Sequence, residues 1–300
     1  MKLGIVVVYL LSKEDEKLLD IHLDQIAKNT TTDYTIYANI NMLLPKFIQK
    51  FKNHSNVKIC NSNNYIGPID GLRATYELSY YAEKLIKEAI DDGVTHVVIM
   101  HPDSFPIKAG WERILEKKIS NSTVLVSKFP EMSACFFFNR NFYLNYNPKL
   151  IPTKIEMESS IYKQFLENIG GINLLEPGMG YAFEIHKKTL KWKSLNRSNM
   201  GEDHYFYGSI FEDLIFHLGA TSHSDRSFYK FVEKPRIPRI KKIISYVLPP
   251  MIKEKIKTSI IQTHLRPEIK THQYYHSIVK ENLFADPDGY IEFLRTGLKN

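Results

Sequence analysis

The chain has 300 residues, of which 43% are hydrophobic, and this predicts one large domain, or one domain with a smaller appendage. Its two cysteines, Cys60 and Cys135, lie far apart in apolar runs. This excludes a disulfide framework and a cysteine-based zinc site, and indicates a reducing compartment. The formal net charge is +7, and lysine and arginine are concentrated between residues 230 and 270, which is compatible with nucleic acid, anionic lipid or nucleotide phosphates.

Strand-like and helix-like segments alternate along the first hundred residues. We predict strands at Leu3–Leu10, Tyr34–Ile40, Val57–Cys60 and Val97–Met100, and helices at Glu14–Lys28, Leu43–Phe51 and Leu72–Ala89. This alternation predicts βαβ units and a parallel sheet. The N-terminal sequence reads as the first strand and not as a signal peptide, and no run of about 18 apolar residues predicts a membrane-spanning helix. We therefore expect a cytoplasmic protein.

The strand Val97–Met100 ends in the polar turn His101-Pro102-Asp103-Ser104. Ligands of open α/β sheets bind at the carboxyl ends of the strands. Imidazole nitrogen and carboxylate oxygen both suit a divalent cation such as Mn²⁺, which makes Asp103 a candidate metal ligand. The alternative is a simple turn in which Asp103 only accepts hydrogen bonds from backbone N–H groups.

The loop after the third strand, residues 61–71, contains Asn63 and Asn64 and leads into a helix that begins near Arg73. Free N–H groups at a helix N-terminus, together with an arginine, can bind a phosphate. Neither the Rossmann nor the P-loop glycine spacing is present. An ordinary loop with a helix N-cap is the alternative interpretation.

The remaining part of the main domain is predicted to hold two helices, three strands and several loops. We predict helices at Gly110–Ile119 and Lys154–Ile169, strands at Thr123–Ser127, Ser133–Phe138 and Ile172–Leu175, a turn at 177–180, and a long loop at Lys187–Asp203. Gly170-Gly171 provides the stop for the second helix. The segment Tyr205–Leu218 and the polar run after it complete a domain that we place at residues 1–228.

Two further groups of polar residues have the chemistry of a catalytic site. His217 follows an apolar run and precedes a Gly/Thr/Ser-rich loop, so it is a candidate metal ligand, although a single histidine can equally be a hydrogen-bonded structural residue. Glu156 and Glu158 lie in the first turns of the helix Lys154–Ile169. The helix dipole alone explains acids at that position, but a carboxylate there can also act as a general base, and Asp203 is the rival candidate for that role.

The second predicted unit, residues 229–300, is a basic helical extension. Isoleucines recur at three- and four-residue steps through residues 235–261, lysines and arginines occupy the other faces, and Pro249-Pro250 divides the segment into two amphipathic helices. Such helices can lie at an anionic membrane surface. Alternatively, the isoleucines pack on the main domain and the lysines are solvated.

The order of these elements over residues 1–225 resembles the nucleotide-diphosphosugar glycosyltransferases of the GT-A fold, close to the family 2 type. The resemblance implies a Rossmann-like α/β fold with a mostly parallel sheet flanked by helices. It places Asp103 at the second aspartate of the D-x-D metal motif and His101 at the first, with His217 as the late metal ligand. Tyr9, Asn39 and Arg73 match nucleotide-contacting positions, and we add Asn64, His101 and Ser104 as predicted donor-binding residues.

This resemblance implies an enzyme that uses Mn²⁺ or Mg²⁺ to transfer a sugar from a UDP- or GDP-sugar to a hydroxyl group. The acceptor is expected to be a cell-surface glycan or a lipid-linked molecule, reached from the inner face of the membrane. Glu158 matches the expected base best, and Asp203 is second. The donor sugar, the nucleotide base, and whether the transfer inverts or retains the anomeric configuration stay open.

Two other functions are alternatives. A nucleotidyltransferase would have a Gly-rich, basic loop after the first strand, where this chain has residues 9–13, Tyr-Leu-Leu-Ser-Lys. A non-enzymatic basic protein for nucleic acid would present aromatic residues among its lysines, whereas here the aromatic residues lie mostly inside apolar strands. We therefore expect no nucleic-acid partner.

Overall fold

The structure is a computed structural model that describes residues 1–11, 15–41, 43–67, 73–128, 134–171, 175–199, 208–219 and 277–296. The strands are β1 (Lys2–Val8), β2 (Asp33–Asn39), β3 (Val57–Cys60), β4 (His96–Met100), β5 (Ser104–Pro106), β6 (Thr123–Ser127), β7 (Phe136–Asn139), β8 (Lys191–Ser194), β9 (Ser209–Phe211) and β10 (Ile215–His217). The helices are α1 (Glu16–Asn29), α2 (Pro45–Lys52), α3 (Arg73–Asp91), α4 (Trp111–Glu116), α5 (Arg140–Tyr146), α6 (Lys154–Glu158), α7 (Ser160–Asn168), α8 (Met179–Lys187), α9 (277–285) and α10 (Pro287–Thr296). Asp203, the strand predicted at 172–175 (except its last residue) and the isoleucine-rich segment 235–261 lie outside the described residues.

The central sheet has seven strands in the order β3-β2-β1-β4-β7-β6-β8, and only β7 runs antiparallel to its neighbours. Successive residues of β1 enter opposite hydrophobic layers: Ile5 and Val7 cluster with side chains of α1, α2 and α4, whereas Val6 and Val8 cluster with those of α3 and α8. A strand that is apolar at consecutive positions needs cover on both faces, as in parallel sheets. The predicted α/β architecture, a mostly parallel sheet flanked by helices, is confirmed.

Two strands differ from the sequence prediction. The strand predicted at Ser133–Phe138 is β7, which is antiparallel because the segment between it and β6 is too short for the crossover that parallel strands require. The predicted loop Lys187–Asp203 contains β8, which pairs with β6 at the edge of the sheet. Its alternating lysines and largely exposed side chains gave it the composition of a loop, and lysine is a usual residue on exposed sheet edges.

The helix predicted at Lys154–Ile169 is in fact two helices, α6 and α7. Ser159 between them is extended, and its hydroxyl accepts a hydrogen bond from the N–H of Tyr162 at 3.1 Å, which makes it the N-cap of α7. Thr153 and Glu156 form a capping box at the start of α6. The predicted turn at 177–180 likewise leads directly into α8, which begins at Met179.

A second, three-stranded antiparallel sheet with the order β5-β10-β9 lies beyond the carboxyl end of β4. Helices α9 and α10 pack against it, and Val279, Leu283 and Leu294 are fully buried in one cluster with Phe105 and Phe216. The last helices of the predicted extension therefore pack on the main domain. Among the described helices, none combines the length and the apolar composition needed to cross a membrane.

The C-terminus of α8 carries local backbone strain. Thr189 has φ = +54°, and the bonds from its N–H to His186 O (3.1 Å) and from Leu190 N–H to Ile185 O (2.9 Å) define a Schellman motif. A β-branched residue is disfavoured at this position, which glycine occupies without a Cβ penalty. We expect Thr189→Gly to raise the free energy of unfolding by about 0.5–1 kcal/mol in urea titrations.

The matched control is Thr189→Ala, which removes the branched side chain but keeps a Cβ atom at positive φ. Its gain is expected to be smaller than that of the glycine variant. A glycine variant no more stable than the alanine variant would show that the backbone at this helix end is not strained.

Candidate metal and donor site

The turn after β4 brings together residues that are distant in sequence. Ser104 N–H donates to His101 O at 3.0 Å, which closes the turn and directs the chain into β5. Strand β10 then pairs with β5, so that His217 lies opposite Ser104, and Leu218 N–H donates to Asp103 O at 2.9 Å. The β5–β10 ladder thus carries His217 to the polar turn at the carboxyl edge of the central sheet.

His101, Asp103 and His217 form a compact group of metal-ligating side chains. One ligand atom from each lies within 4.8 Å of the others, and His217 Nε2 is 3.6 Å from Asp103 Oδ1. Asp103 is only 6% exposed. A buried carboxylate close to two imidazoles is costly unless it is paired or coordinates a cation, and a mixed set of imidazole and carboxylate ligands suits a divalent first-row metal ion. The donor set therefore fits a divalent metal.

A cleft of about 120 Å³ opens beside two of these ligands. It is lined by Val8, Leu10, Leu11, Asp15, Leu18, Leu78, His101, Pro102 and Asp103. Asp15, which the sequence did not single out, precedes α1, and its Oδ1 lies 3.6 Å from Lys280 Nζ on α9. The cleft thus combines an apolar wall with carboxylates and an imidazole at one end.

Three of the predicted donor-binding side chains lie in the protein interior, among them Asn39, which is 2% exposed. Tyr9 is fully buried between His22 and Phe51, and burial raises the pKa of its hydroxyl well above the ordinary value. Ser104 is also fully buried, and its hydroxyl donates to Ala134 O at 2.7 Å. A nucleotide-sugar donor can therefore contact Tyr9 and Ser104 only through their backbone.

The predicted residues Asn39 and Asn64 belong to a polar network at the carboxyl ends of β2 and β3. Asn39 Nδ2 donates to Asn41 Oδ1 (3.0 Å) and to Ser62 Oγ (3.2 Å). Asn41 Nδ2 donates to Asn64 Oδ1 at 3.1 Å and to the backbone carbonyl of Ser62. Helix α3 begins at Arg73, as predicted within one residue, whereas residues 68–72 and the Arg73 side chain lie outside the description.

The structure does not bring Glu158 to the metal ligands. It is exposed at the end of α6, and Glu156 of the same helix pairs at 2.9 Å with Lys187 in the last turn of α8. That turn precedes the amino end of β8, which has the same direction as β4, so α6 lies toward the edge opposite His101. The base roles of Glu158 and Asp203 stay predictions.

His22 is a residue near the site that the sequence analysis missed. It is fully buried on α1, and its Nδ1 lies 3.0 Å from Ser104 O in the turn that contains His101 and Asp103. Desolvation lowers its pKa to about 4, although the Ser104 carbonyl and the Asp103 charge oppose the shift. Its signal is a polar residue within the apolar spacing of Leu18, Leu19 and Ile26 on α1.

No protein-family profile matches the sequence, and no curated protein does. Similar solved structures include TarS from S. aureus, with a TM-score of 0.35 over 52% of this chain and 31% of that one, at 11% identity. The glycosyltransferase GlyE from Streptococcus pneumoniae TIGR4 has a TM-score of 0.34 over 68% of this chain and 46% of that one, also at 11% identity. The matched region spans less than half of either structure.

Proposed function

We propose that this protein is a divalent-metal-dependent glycosyltransferase. The observation that carries the proposal is the group of His101, Asp103 and His217 at the carboxyl edge of a mostly parallel sheet, beside a cleft. Open α/β sheets bind their ligands at this edge. Transfer of a glycosyl group from a nucleotide diphosphate releases a highly charged leaving group, and the three side chains fit a cation that can neutralise this charge.

The residues of the site divide into two roles. Asp103 and the two histidines hold the cation, and a bound Mn²⁺ or Mg²⁺ supplies positive charge that neutralises the diphosphate. Asn41 and Asn64 offer amide groups to the ribose or base of a UDP- or GDP-sugar donor, and the buried Asn39 holds Asn41 in place. The diphosphate would lie between these two groups of residues, near the start of α3.

The acceptor side of the proposal rests on the sequence. A hydroxyl of a glycan or a lipid-linked acceptor needs a base within hydrogen-bond distance, for which Glu158 and Asp203 are the candidates. Because α6 lies toward the opposite edge of the sheet, Glu158 could serve only if α6 moved, and we place Asp203 first. Residues 235–261 would bind the inner face of an anionic membrane, consistent with a cytoplasmic enzyme of polysaccharide biosynthesis.

Thermal unfolding with UDP, GDP, CDP and TDP, each with and without Mn²⁺, tests the proposal. A ligand that binds only the folded state stabilises it by about 2.7 kcal/mol at a concentration of 100 times its Kd. We expect one nucleotide to raise the midpoint in a Mn²⁺-dependent way. The matched control is Ca²⁺, which prefers all-oxygen ligands.

A cooperative transition that none of the four nucleotides shifts, with or without Mn²⁺, would contradict glycosyl transfer. A shift with nucleoside triphosphates alone would favour the nucleotidyltransferase alternative. Hydrolysis of the matching nucleotide sugar in the absence of acceptor then checks that the bound nucleotide marks a donor.

A further inference from the structure

Strand β5, which follows the metal-binding turn, has α1 along its outer edge. Its inner edge pairs with β10, and two carbonyls on the other edge, those of Ser104 and Pro106, point to α1. Ser104 O lies 3.0 Å from His22 Nδ1, and Pro106 O accepts from Asn29 Nδ2 at 2.9 Å. Side chains of a helix thus take the place of a neighbouring strand.

Two buried polar residues of α1, His22 and Asn29, make this contact, and with the buried Gln25 between them they form what we refer to as the polar stripe. Asn29 Nδ2 also donates to Gln25 Oε1 at 2.9 Å, and Gln25 Nε2 donates to Asp288 Oδ1 on α10 at 3.0 Å. All three are at most 6% exposed. Asn29 and Gln25 therefore join the edge of β5 to α10 through a continuous set of hydrogen bonds.

The burial of His22 has an energetic cost that the packing of its side chain does not explain. Its Nε2 is buried and has no hydrogen-bond partner among the residues that the structure describes. A leucine would fill the same volume without an unpaired polar atom, whose burial is unfavourable. What the imidazole provides instead is the Nδ1–H donor to Ser104 O, directly beside Asp103.

We propose that the polar stripe positions the metal ligands. His22 and Asn29 fix the outer edge of β5, β5 fixes β10 through the ladder, and the spacing between Asp103 and His217 follows from both. His22 is a positioning residue, since it acts through the Ser104 backbone and does not reach the cation. The link to metal binding rests on the proposed function, whereas the hold on the β5–β10 ladder does not.

Two variants of the full chain separate positioning from packing. His22→Leu removes the donor and keeps the bulk, whereas His22→Asn keeps an N–H donor at the position of Nδ1. In metal-free protein, we expect the leucine variant to speed hydrogen exchange of Leu218 N–H and Ile107 N–H at least about tenfold relative to the amides of β1. The asparagine variant should restore slow exchange.

Mn²⁺ affinity is measured on the same proteins by electron paramagnetic resonance. Loss of the residues that orient metal ligands typically costs 10–100-fold in affinity, and we expect a loss of about this size for His22→Leu with recovery in His22→Asn. Leu23→Ala is the control, because Leu23 is the next residue on α1, is buried in a hydrophobic cluster and makes no hydrogen bond to β5 through its side chain. It should destabilise the protein without changing Mn²⁺ affinity.

Wild-type exchange rates in His22→Leu would overturn the proposal. So would faster exchange with unchanged Mn²⁺ affinity, because the ladder would then not control the ligands. If the wild-type protein bound no Mn²⁺, the metal assignment would fail, and exchange alone would decide whether the stripe holds the ladder.

Discussion

Asp103→Asn is expected to lower Mn²⁺ affinity by on the order of 100-fold and to lower sugar transfer by at least as much. The amide keeps the size of the side chain but removes the one negative charge among the three ligands. Two neutral imidazoles and an amide oxygen cannot compete with water for a hard divalent ion as a carboxylate can. Mn²⁺ titration and hydrolysis of the nucleotide sugar measure the two losses separately.

The same variant should keep or gain stability, which distinguishes a functional carboxylate from a structural one. Asp103 is 6% exposed and lies 3.6 Å from His217 Nε2. Replacing it with an amide removes a desolvated charge, whose burial is costly in the absence of a cation. Asp92→Asn is the matched control, because Asp92 lies at the amino edge of the sheet and pairs with Lys58. A variant at position 103 that unfolds but retains its Mn²⁺ affinity would identify Asp103 as a turn residue.

The central strands could be predicted from the sequence because of their composition. β1 and β4 are apolar at consecutive positions, which only a strand covered on both faces can bury, and both were predicted within two residues. The strand at β7 was also predicted but its antiparallel direction was not, and β8 was predicted as a loop, because strand direction and a lysine-rich edge strand have no distinctive local pattern. Their pairing depends on neighbours that only the folded sheet provides.

The three candidate metal ligands could be singled out for a related reason. His101 and Asp103 directly follow a buried strand, and His217 ends an apolar run, so the chain marks each of them locally. The stripe that we propose to position them has no such mark. His22 meets Ser104 only because α1 packs along the outer edge of β5, and that packing is a property of the tertiary structure.

The buried state of His22 predicts acid sensitivity of the fold. Its pKa is about 4 in the folded protein and 6.5 in an exposed chain, because burial disfavours the charged imidazole. Above pH 6.5 both states are neutral and His22 adds no pH dependence. Between pH 6.5 and 4 the unfolded chain binds a proton that the folded protein does not, so stability falls with pH, by about 3 kcal/mol at the lower limit.

Comparison with His22→Asn isolates this contribution, since carboxylates elsewhere titrate in both proteins. Asp103 is the charged group that acts on His22, and it opposes the shift, while the Tyr9 ring that packs against the imidazole stays uncharged in this range. Urea unfolding at pH 7 and pH 4 should show the wild-type protein losing about 3 kcal/mol more than the variant. Equal losses of stability in the two proteins would mean that His22 takes up a proton while the protein stays folded. In that case Ser104 O would accept from an imidazolium, and the turn that bears Asp103 would be held by a charged group instead of a neutral one.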